Sequence, residues 1–150
     1  MALNQLWDLQ LTQSQLLDLA KQLGMDVPFF ILGGTALGTN YGEAVTALPP
    51  LPACIQITIQ PKSATTTTTT DATSKTAEAY SSLDLALCGQ NQAKTETFIA
   101  ALHDHDPQSP QKTASILLAK LHNDFEQLYQ IPADHHLSGS GPSTFTVKLT

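Results

Sequence analysis

The sequence predicts an α+β protein, and a helix signal near one end and a strand signal at the other lead to this expectation. Residues 12–23 carry apolar side chains at helical spacing, and Thr12 and Gln15 have the pattern of a capping box. Residues 143–150 alternate between apolar and polar types, which is typical of a strand with one buried face. A chain that contains both signals, with no regular alternation of strand and helix between them, favours the α+β class.

The chain is expected to fold in two pieces. Pro49, Pro50 and Pro52 form a rigid, extended connector, which is the kind of segment found at domain boundaries. The boundary divides the 150 residues into a first piece at 1–50 and a second at 53–150.

Composition and charge exclude several classes of function. The 13 acidic residues outnumber the 7 basic ones, all of which are lysines, so binding to nucleic acid is not expected. No apolar run approaches the roughly 18 residues that a membrane span needs, and no signal segment precedes the first helix. We expect a cytoplasmic protein that binds no membrane, with Cys54 and Cys88 reduced and buried.

Further elements follow from periodicity and turn residues. The expected strands are 29–37, 43–47 and 54–59, the expected helices are 95–103 and 113–129, and 2–7 reads as the end of a helix that starts earlier. Residues 62–75, which include six consecutive threonines, are expected to form a mobile surface loop because they offer no apolar face to bury.

The first candidate for chemistry is Asp26, in the segment Gly-Met-Asp-Val-Pro-Phe-Phe. A carboxylate in a loop between a helix and a strand can accept a proton from a substrate hydroxyl. An aspartate there can equally be a turn residue that bonds to its own backbone, and the local sequence leaves both interpretations open.

A second candidate is the Gly/Ser-rich stretch before the last strand. Its glycines allow backbone amides to turn towards a bound phosphate, although an ordinary turn has the same composition. The residues concerned are Gly139, Ser140, Gly141, Pro142 and Ser143.

A third candidate pairs a hydroxyl with an aromatic ring. Thr76 and Tyr80 lie one helical turn apart, and such a pair can hold a nucleobase or sugar; helix capping and core packing are the alternative. The histidines at 103, 105, 135 and 136 lack a second motif at ligand spacing, so they are expected to be solvated loop residues and no metal site is predicted. Residues 122–124 are expected to lie in the middle of a helix, where they form a polar face or bridge to a neighbouring loop.

Taken together, these motifs resemble the GHMP kinase superfamily and, within it, the 4-diphosphocytidyl-2-C-methyl-D-erythritol kinase family. The resemblance rests on residues 23–49, on Thr-Ala-Glu-Ala-Tyr at 76–80, on Leu-His-Asn-Asp-Phe-Glu at 121–126 and on Ser-Gly-Ser-Gly-Pro-Ser-Thr-Phe at 138–145. It covers nearly the whole chain apart from the threonine-rich insert.

The resemblance implies an enzyme that uses ATP and Mg²⁺ to phosphorylate the 2-hydroxyl group of a cytidine diphosphate derivative in non-mevalonate isoprenoid synthesis. It implies that Asp26 is the catalytic base, that Thr76 and Tyr80 belong to the substrate pocket, and that loop 139–143 shapes the phosphate region. It also implies the tail of an N-terminal GHMP domain at 1–50 and an incomplete ferredoxin-like C-terminal domain at 53–150.

The chain departs from the family in one respect that matters for activity. The glycine-rich phosphate loop and the lysine that family members carry near their N-terminus do not occur in it, so we expect a segment truncated at both ends that is a weak kinase alone. Two alternatives stay open: a non-catalytic remnant or assembly partner, and a GHMP kinase for another alcohol. Exposed sheet edges lead us to expect self-association.

Overall fold

The computed structural model describes residues 1–60, 65–66 and 75–150, and the chain divides into two compact units, Met1–Pro50 and Leu51–Thr150. Both units combine helices with antiparallel strands, so the predicted α+β class is confirmed. The assignment of these units to two domains of a GHMP kinase stays a prediction.

The elements of the first unit follow one another closely along the chain. They are α1 (Ala2–Leu6), α2 (Gln13–Leu23), α3 (Val27–Leu32), β1 (Thr35–Thr39) and β2 (Ala44–Leu48). The two strands pair antiparallel, with Leu37 opposite Thr46, and α3 packs against α2 and against this hairpin.

Helix α2 begins and ends where the sequence predicts. The Thr12 side chain accepts a hydrogen bond from the Gln15 amide, and the Gln15 side chain accepts one from the Thr12 amide, so the capping box is complete. The helix ends at Gly24, and Ala20 is the residue it buries.

The predicted strand at 29–37 is wrong in its first half, because residues Val27–Leu32 form helix α3. Pro28 is compatible with this helix because it lies in the first turn, where its missing N–H group would have had no partner within the helix. The helix ends at Gly33, whose positive φ of 71° suits glycine, and the strand begins only at Thr35. A short continuous apolar run does not reveal by its period whether it is helix or strand.

The second unit has more elements and a larger sheet. They are β3 (Ile55–Gln60), β4 (Thr65–Thr66), α4 (Lys75–Ser81), α5 (Gln92–His103), α6 (Pro110–Leu118), a 3₁₀ helix (Asp124–Leu128), β5 (Tyr129–Gln130), β6 (His136–Leu137) and β7 (Thr144–Leu149). Strands β3, β7 and β6 form an antiparallel sheet in that order, so the last strand of the chain lies in the middle.

Helices α5 and α6 pack together, and α6 also packs against β7. Their contact buries Leu102 and Leu117, each 1% exposed, while Thr144 at the start of β7 is fully buried. This core fixes the start of β7, and therefore the end of the Gly/Ser-rich loop that precedes it.

Strand β3 lies at one edge of this sheet as far as the described residues extend. Two of its side chains, Ile57 and Ile59, are 50% and 71% exposed. An exposed edge of this kind is able to pair with another chain. Self-association stays a prediction.

The predicted helix at 113–129 is wrong beyond Leu118. Helix α6 ends at Leu118, and a separate 3₁₀ helix begins after Asn123, whose backbone is extended at φ −150° and ψ 121°. The Asn123 side chain accepts a hydrogen bond from the Phe125 amide at 2.9 Å, which caps the new helix instead of continuing the old one. Residues 122–124 therefore lie in a connecting segment, where their side chains can reach other loops.

The low-complexity segment predicted to be a mobile loop at 62–75 lies outside the described residues, apart from strand β4 and the first residue of α4. Strand β4 pairs with β5. Both cysteines are free; Cys54 is buried and Cys88 half-buried. Within the described parts of the chain, no helix has the length and apolar character that crossing a membrane requires.

Candidate active site

Asp26 lies at the N-terminal end of α3, so the predicted position between a helix and a strand is corrected to one between two helices. The side chain is exposed and makes no hydrogen bond that caps the helix. It opens onto a cavity of about 390 Å³ in the first unit, lined by Asp26, Phe29, Phe30, Gly38, Gly42 and Val45.

The walls of this cavity are apolar apart from the Asp26 carboxylate. An ionised carboxylate is a hydrogen-bond acceptor only, so it suits a donor such as a substrate hydroxyl. A β-carbon at Gly42 would lie 3.6 Å from Asp26 Oδ1, and Gly42 has a φ of 111°. Glycine at this position leaves room beside the carboxylate.

The turn that carries Gly42 is held by Glu43, a residue that sequence reasoning missed. Its carboxylate accepts hydrogen bonds from the Tyr41 amide at 3.0 Å and from the Asn40 side chain at 3.4 Å. A bond from its own backbone amide, followed by these two, lowers the pKa of Glu43 below the ordinary value of 4.5. The ionised form of Glu43 therefore stabilises the turn opposite Asp26.

In the second unit, Tyr80 lies near the end of α4 with its side chain 59% exposed. Its ring meets that of Phe125 edge to face, with centroids 4.8 Å apart and an interplanar angle of 83°. Thr76 is exposed in the first turn of the same helix. Because α4 begins at Lys75, Thr76 lies within the helix and does not cap it. The arrangement holds the Tyr80 ring on one side and leaves much of it open to a ligand.

The Gly/Ser-rich segment at 138–143 is a formed loop that closes on itself. The Ser138 amide donates to the Ser143 carbonyl oxygen at 2.9 Å, and the Gly141 amide donates to the Ser138 carbonyl at 3.1 Å. Gly139 and Gly141 have φ values of 58° and 78°, and the bond between Gly141 and Pro142 is cis. The ordinary flexible turn, which the sequence left open, does not describe this loop.

Two side chains from outside the loop bind three further carbonyl oxygens, one just before the loop and two within it. The Asn123 amide donates to the carbonyls of Leu137 at 3.1 Å and Gly139 at 2.8 Å. The Tyr129 hydroxyl donates to the Ser140 carbonyl at 2.7 Å.

Two successive amides of the loop are free, while the carbonyls beside them are engaged. Within the described residues, the amides of Gly139 and Ser140 donate no hydrogen bond to the chain, whereas the carbonyls at 137–140 and 143 all accept one. Successive amides without internal acceptors form a concave site for an anion. This polarity suits the phosphate role expected of Gly139, Ser140 and Ser143.

The residues at 122–126 tie this loop to the rest of the unit. His122 Nδ1 donates to the Lys120 carbonyl at 2.9 Å, and Nε2 lies 3.3 Å from the Thr95 hydroxyl. Asp124 accepts a hydrogen bond from the Gly89 amide at 2.9 Å. The sequence left open a bridge from these residues to a neighbouring loop, but the prediction placed them in the middle of a helix. Asn123 followed by Glu126 three positions later is a helix-start pattern that would have pointed to this framework.

His136 lies in β6 with its ring 5.4 Å from that of Phe145, so the prediction of a solvated loop residue is wrong for it. His103 is exposed as predicted, but it is the last residue of α5 and does not lie in a loop. His135 bonds to Asp134, and this bond lowers the pKa of the Asp134 carboxyl. The parts of the chain that the structure describes contain no group of three or more potential ligands positioned for a metal ion.

Comparison with known proteins identifies the class first. The family described as "GHMP kinases N terminal domain" matches residues 1–34. Together with the α+β fold, this match supports the resemblance to the GHMP kinases that the motifs indicate.

Curated relatives then narrow the class, since they are named 4-diphosphocytidyl-2-C-methyl-D-erythritol kinase. The protein of Alkaliphilus metalliredigens is 31% identical over 163 aligned residues, covering 97% of this chain and 50% of its own length. The protein of Geobacillus kaustophilus is 30% identical over 152 residues, which cover 95% of this chain and 49% of that protein. The protein of Gloeobacter violaceus is 55% identical over 49 residues, which cover 33% of this chain and 16% of that protein. The resemblance that the motifs indicate is confirmed. The chain spans about half the length of the two relatives that match nearly all of it.

Proposed function

We propose that this chain supplies the substrate-side residues of an ATP-dependent kinase that phosphorylates the 2-hydroxyl group of 4-diphosphocytidyl-2-C-methyl-D-erythritol, a step of non-mevalonate isoprenoid synthesis. The relatives that match 95–97% of the chain carry the name of that kinase. The geometric observation that carries the proposal is in loop 138–143, where the successive amides of Gly139 and Ser140 are free and the carbonyls of the same two residues are engaged. Such a loop favours the diphosphate of this substrate.

Asp26 takes the proton in the proposed reaction. The 2-hydroxyl oxygen forms a bond to the γ-phosphorus of ATP, the bond from that phosphorus to the β,γ-bridging oxygen breaks, and ADP leaves. The hydroxyl proton passes to the Asp26 carboxylate, which makes no capping bond that would compete for it. The side chains of Phe29 and Phe30 form an apolar wall beside the carboxylate.

In the same proposal, Tyr80 stacks on the cytosine, Thr76 offers a hydroxyl beside it, and loop 139–143 receives the phosphates. Mg²⁺ bound with ATP would supply positive charge to the phosphate oxygens. The residues of this chain contribute binding and proton transfer. General-base catalysis contributes typically about 10²–10⁴-fold, which is a small part of phosphoryl transfer.

The 150 residues include no glycine-rich loop of the Gly-Leu-Gly-Gly-Gly-Ser-Ser kind. Positioning ATP and neutralising its charge account for most of the catalysis in kinases. A polypeptide of these 150 residues is therefore proposed to bind substrate and to turn it over very slowly.

The test measures two quantities on the purified 150-residue chain: binding of 4-diphosphocytidyl-2-C-methyl-D-erythritol, and ATP-dependent formation of its 2-phosphate. We expect measurable binding and a turnover far below the roughly 1–100 s⁻¹ of ordinary kinases. Turnover in that ordinary range would contradict the proposed low activity. A chain that remains folded and binds none of the substrate would contradict the assignment itself.

A further inference from the structure

We propose that Asn123 and Phe125 are positioning residues for a nucleoside diphosphate, Asn123 for the phosphate loop 138–143 and Phe125 for the base-stacking ring of Tyr80. This inference rests on the proposed function and deepens it, because it assigns the two subsites to one short segment, residues 122–126. Neither residue is proposed to touch the substrate.

The Asn123 side chain makes a complete set of hydrogen bonds. Both donors of its side-chain amide are used, on the carbonyls of Leu137 and Gly139, and its oxygen accepts from the Phe125 amide. In a trans peptide the C=O group and the following N–H group point in opposite directions. Holding the Gly139 carbonyl against Asn123 therefore turns the Ser140 amide away from Asn123, towards a ligand.

The Phe125 ring contacts the ring of Tyr80. The edge-to-face pair, with centroids 4.8 Å apart, restricts the rotation of a tyrosine ring that is otherwise 59% exposed. A ring held before the ligand arrives loses less conformational entropy when a base stacks on it. Phe125 thereby prepares Tyr80 without itself contacting the ligand.

The two positioning residues are coupled through the backbone. The Phe125 amide is bound to the Asn123 side chain at 2.9 Å, so the residues that hold the loop and the ring share one capped turn. That turn is anchored on both sides of Asn123, by His122 to the Lys120 carbonyl and by Asp124 to the Gly89 amide. The separation between the phosphate loop and the stacking ring is therefore set by a rigid segment.

This geometry distinguishes the contributions of a base and of a phosphate group. A ligand with both parts uses both positioning residues, whereas cytidine depends on Phe125 and inorganic pyrophosphate depends on Asn123. Cytidine, pyrophosphate and cytidine diphosphate are accordingly the three probes.

The experiment titrates each probe into the 150-residue chain and follows amide chemical shifts by NMR, a measurement suited to weak affinities. Asn123→Ser retains a helix-capping side chain but removes both amide donors. We expect this variant to bind pyrophosphate and cytidine diphosphate about tenfold more weakly, a loss equivalent to one hydrogen bond to a charged group. Its affinity for cytidine should change less than about twofold. Phe125→Leu is expected to weaken cytidine and cytidine diphosphate while pyrophosphate binds as before.

The control for the aromatic substitution is Phe98→Leu, the same change elsewhere in the second unit. The control for the amide substitution is Gln111→Ser, which removes an exposed side-chain amide on α6. Both should leave all three affinities unchanged. Equal losses of cytidine and pyrophosphate affinity in Asn123→Ser, or no loss of either, would overturn this inference. The proposed function would still stand in that case if the wild-type chain binds cytidine diphosphate. Absence of cytidine diphosphate binding by the folded wild-type chain would overturn the proposed function as well.

Discussion

The aromatic ring of Tyr129 occupies the space that a β-carbon on Gly141 would need. A β-carbon built there would lie 2.7 Å from Tyr129 Cζ and 2.9 Å from its hydroxyl oxygen, closer than nonbonded atoms approach. The same hydroxyl binds the Ser140 carbonyl, so tyrosine and glycine fix the loop together. This contact explains why a segment rich in glycine and serine is a formed loop and not a linker.

Substitution of Gly141 by alanine should therefore destabilise the second unit more than the same change at Gly139. Both glycines have positive φ, so backbone strain is common to the two variants, but a β-carbon at Gly139 meets no atom within 4 Å. The difference in free energy of unfolding should be about 1–3 kcal/mol, the usual cost of overpacking. Urea unfolding of both variants measures it, and equal losses would contradict the contact.

Asp26 should contribute little to stability. Its side chain makes no capping hydrogen bond, whereas Thr12 takes part in a complete capping box. We expect Thr12→Ala to lower the free energy of unfolding by about 1 kcal/mol and Asp26→Ala to change it by less than about 0.5 kcal/mol. Thermal unfolding compares the two, and a loss from Asp26→Ala as large as that from Thr12→Ala would indicate a structural aspartate.

The turn beside Asp26 should loosen in acid. The pKa of Glu43 is lower in the folded chain than its ordinary value of 4.5, so its contribution is complete above that pH and is lost as the pH falls through the lowered value. NMR shifts of the Tyr41 and Gly42 amides should follow this titration below pH about 4.5. In Glu43→Gln these shifts should be independent of pH across that range, and an unchanged titration would assign it to another group.

Local signals in the sequence predicted the parts of the fold that depend on local interactions. The capping box at Thr12 and the alternation before Leu149 each lie within a few residues, and both elements occur as expected. The prediction was wrong at Val27–Leu32, where a proline in the first turn is compatible with a helix.

The candidate site was predicted less completely, because its framework depends on contacts between distant segments. Asn123 bonds to residues 14 and 16 positions further along the chain, and those partners favour an extended backbone over the helix that the apolar spacing suggested. Tyr80 and the loop glycines were identified from their own motifs. Their supports, Phe125 and Tyr129, became visible only when the fold brought them together.

The most direct test of the central claim is calorimetric titration of the 150-residue chain with cytidine diphosphate, using wild type, Tyr80→Ala and Tyr41→Ala. Tyr41 is 87% exposed in the first unit and serves as the matched control. We expect wild type and Tyr41→Ala to bind cytidine diphosphate with equal affinity. Tyr80→Ala should lose about 1–3 kcal/mol of binding free energy, the value of one base–aromatic stack. Equal affinity of Tyr80→Ala and wild type, with both folded, would contradict this expectation.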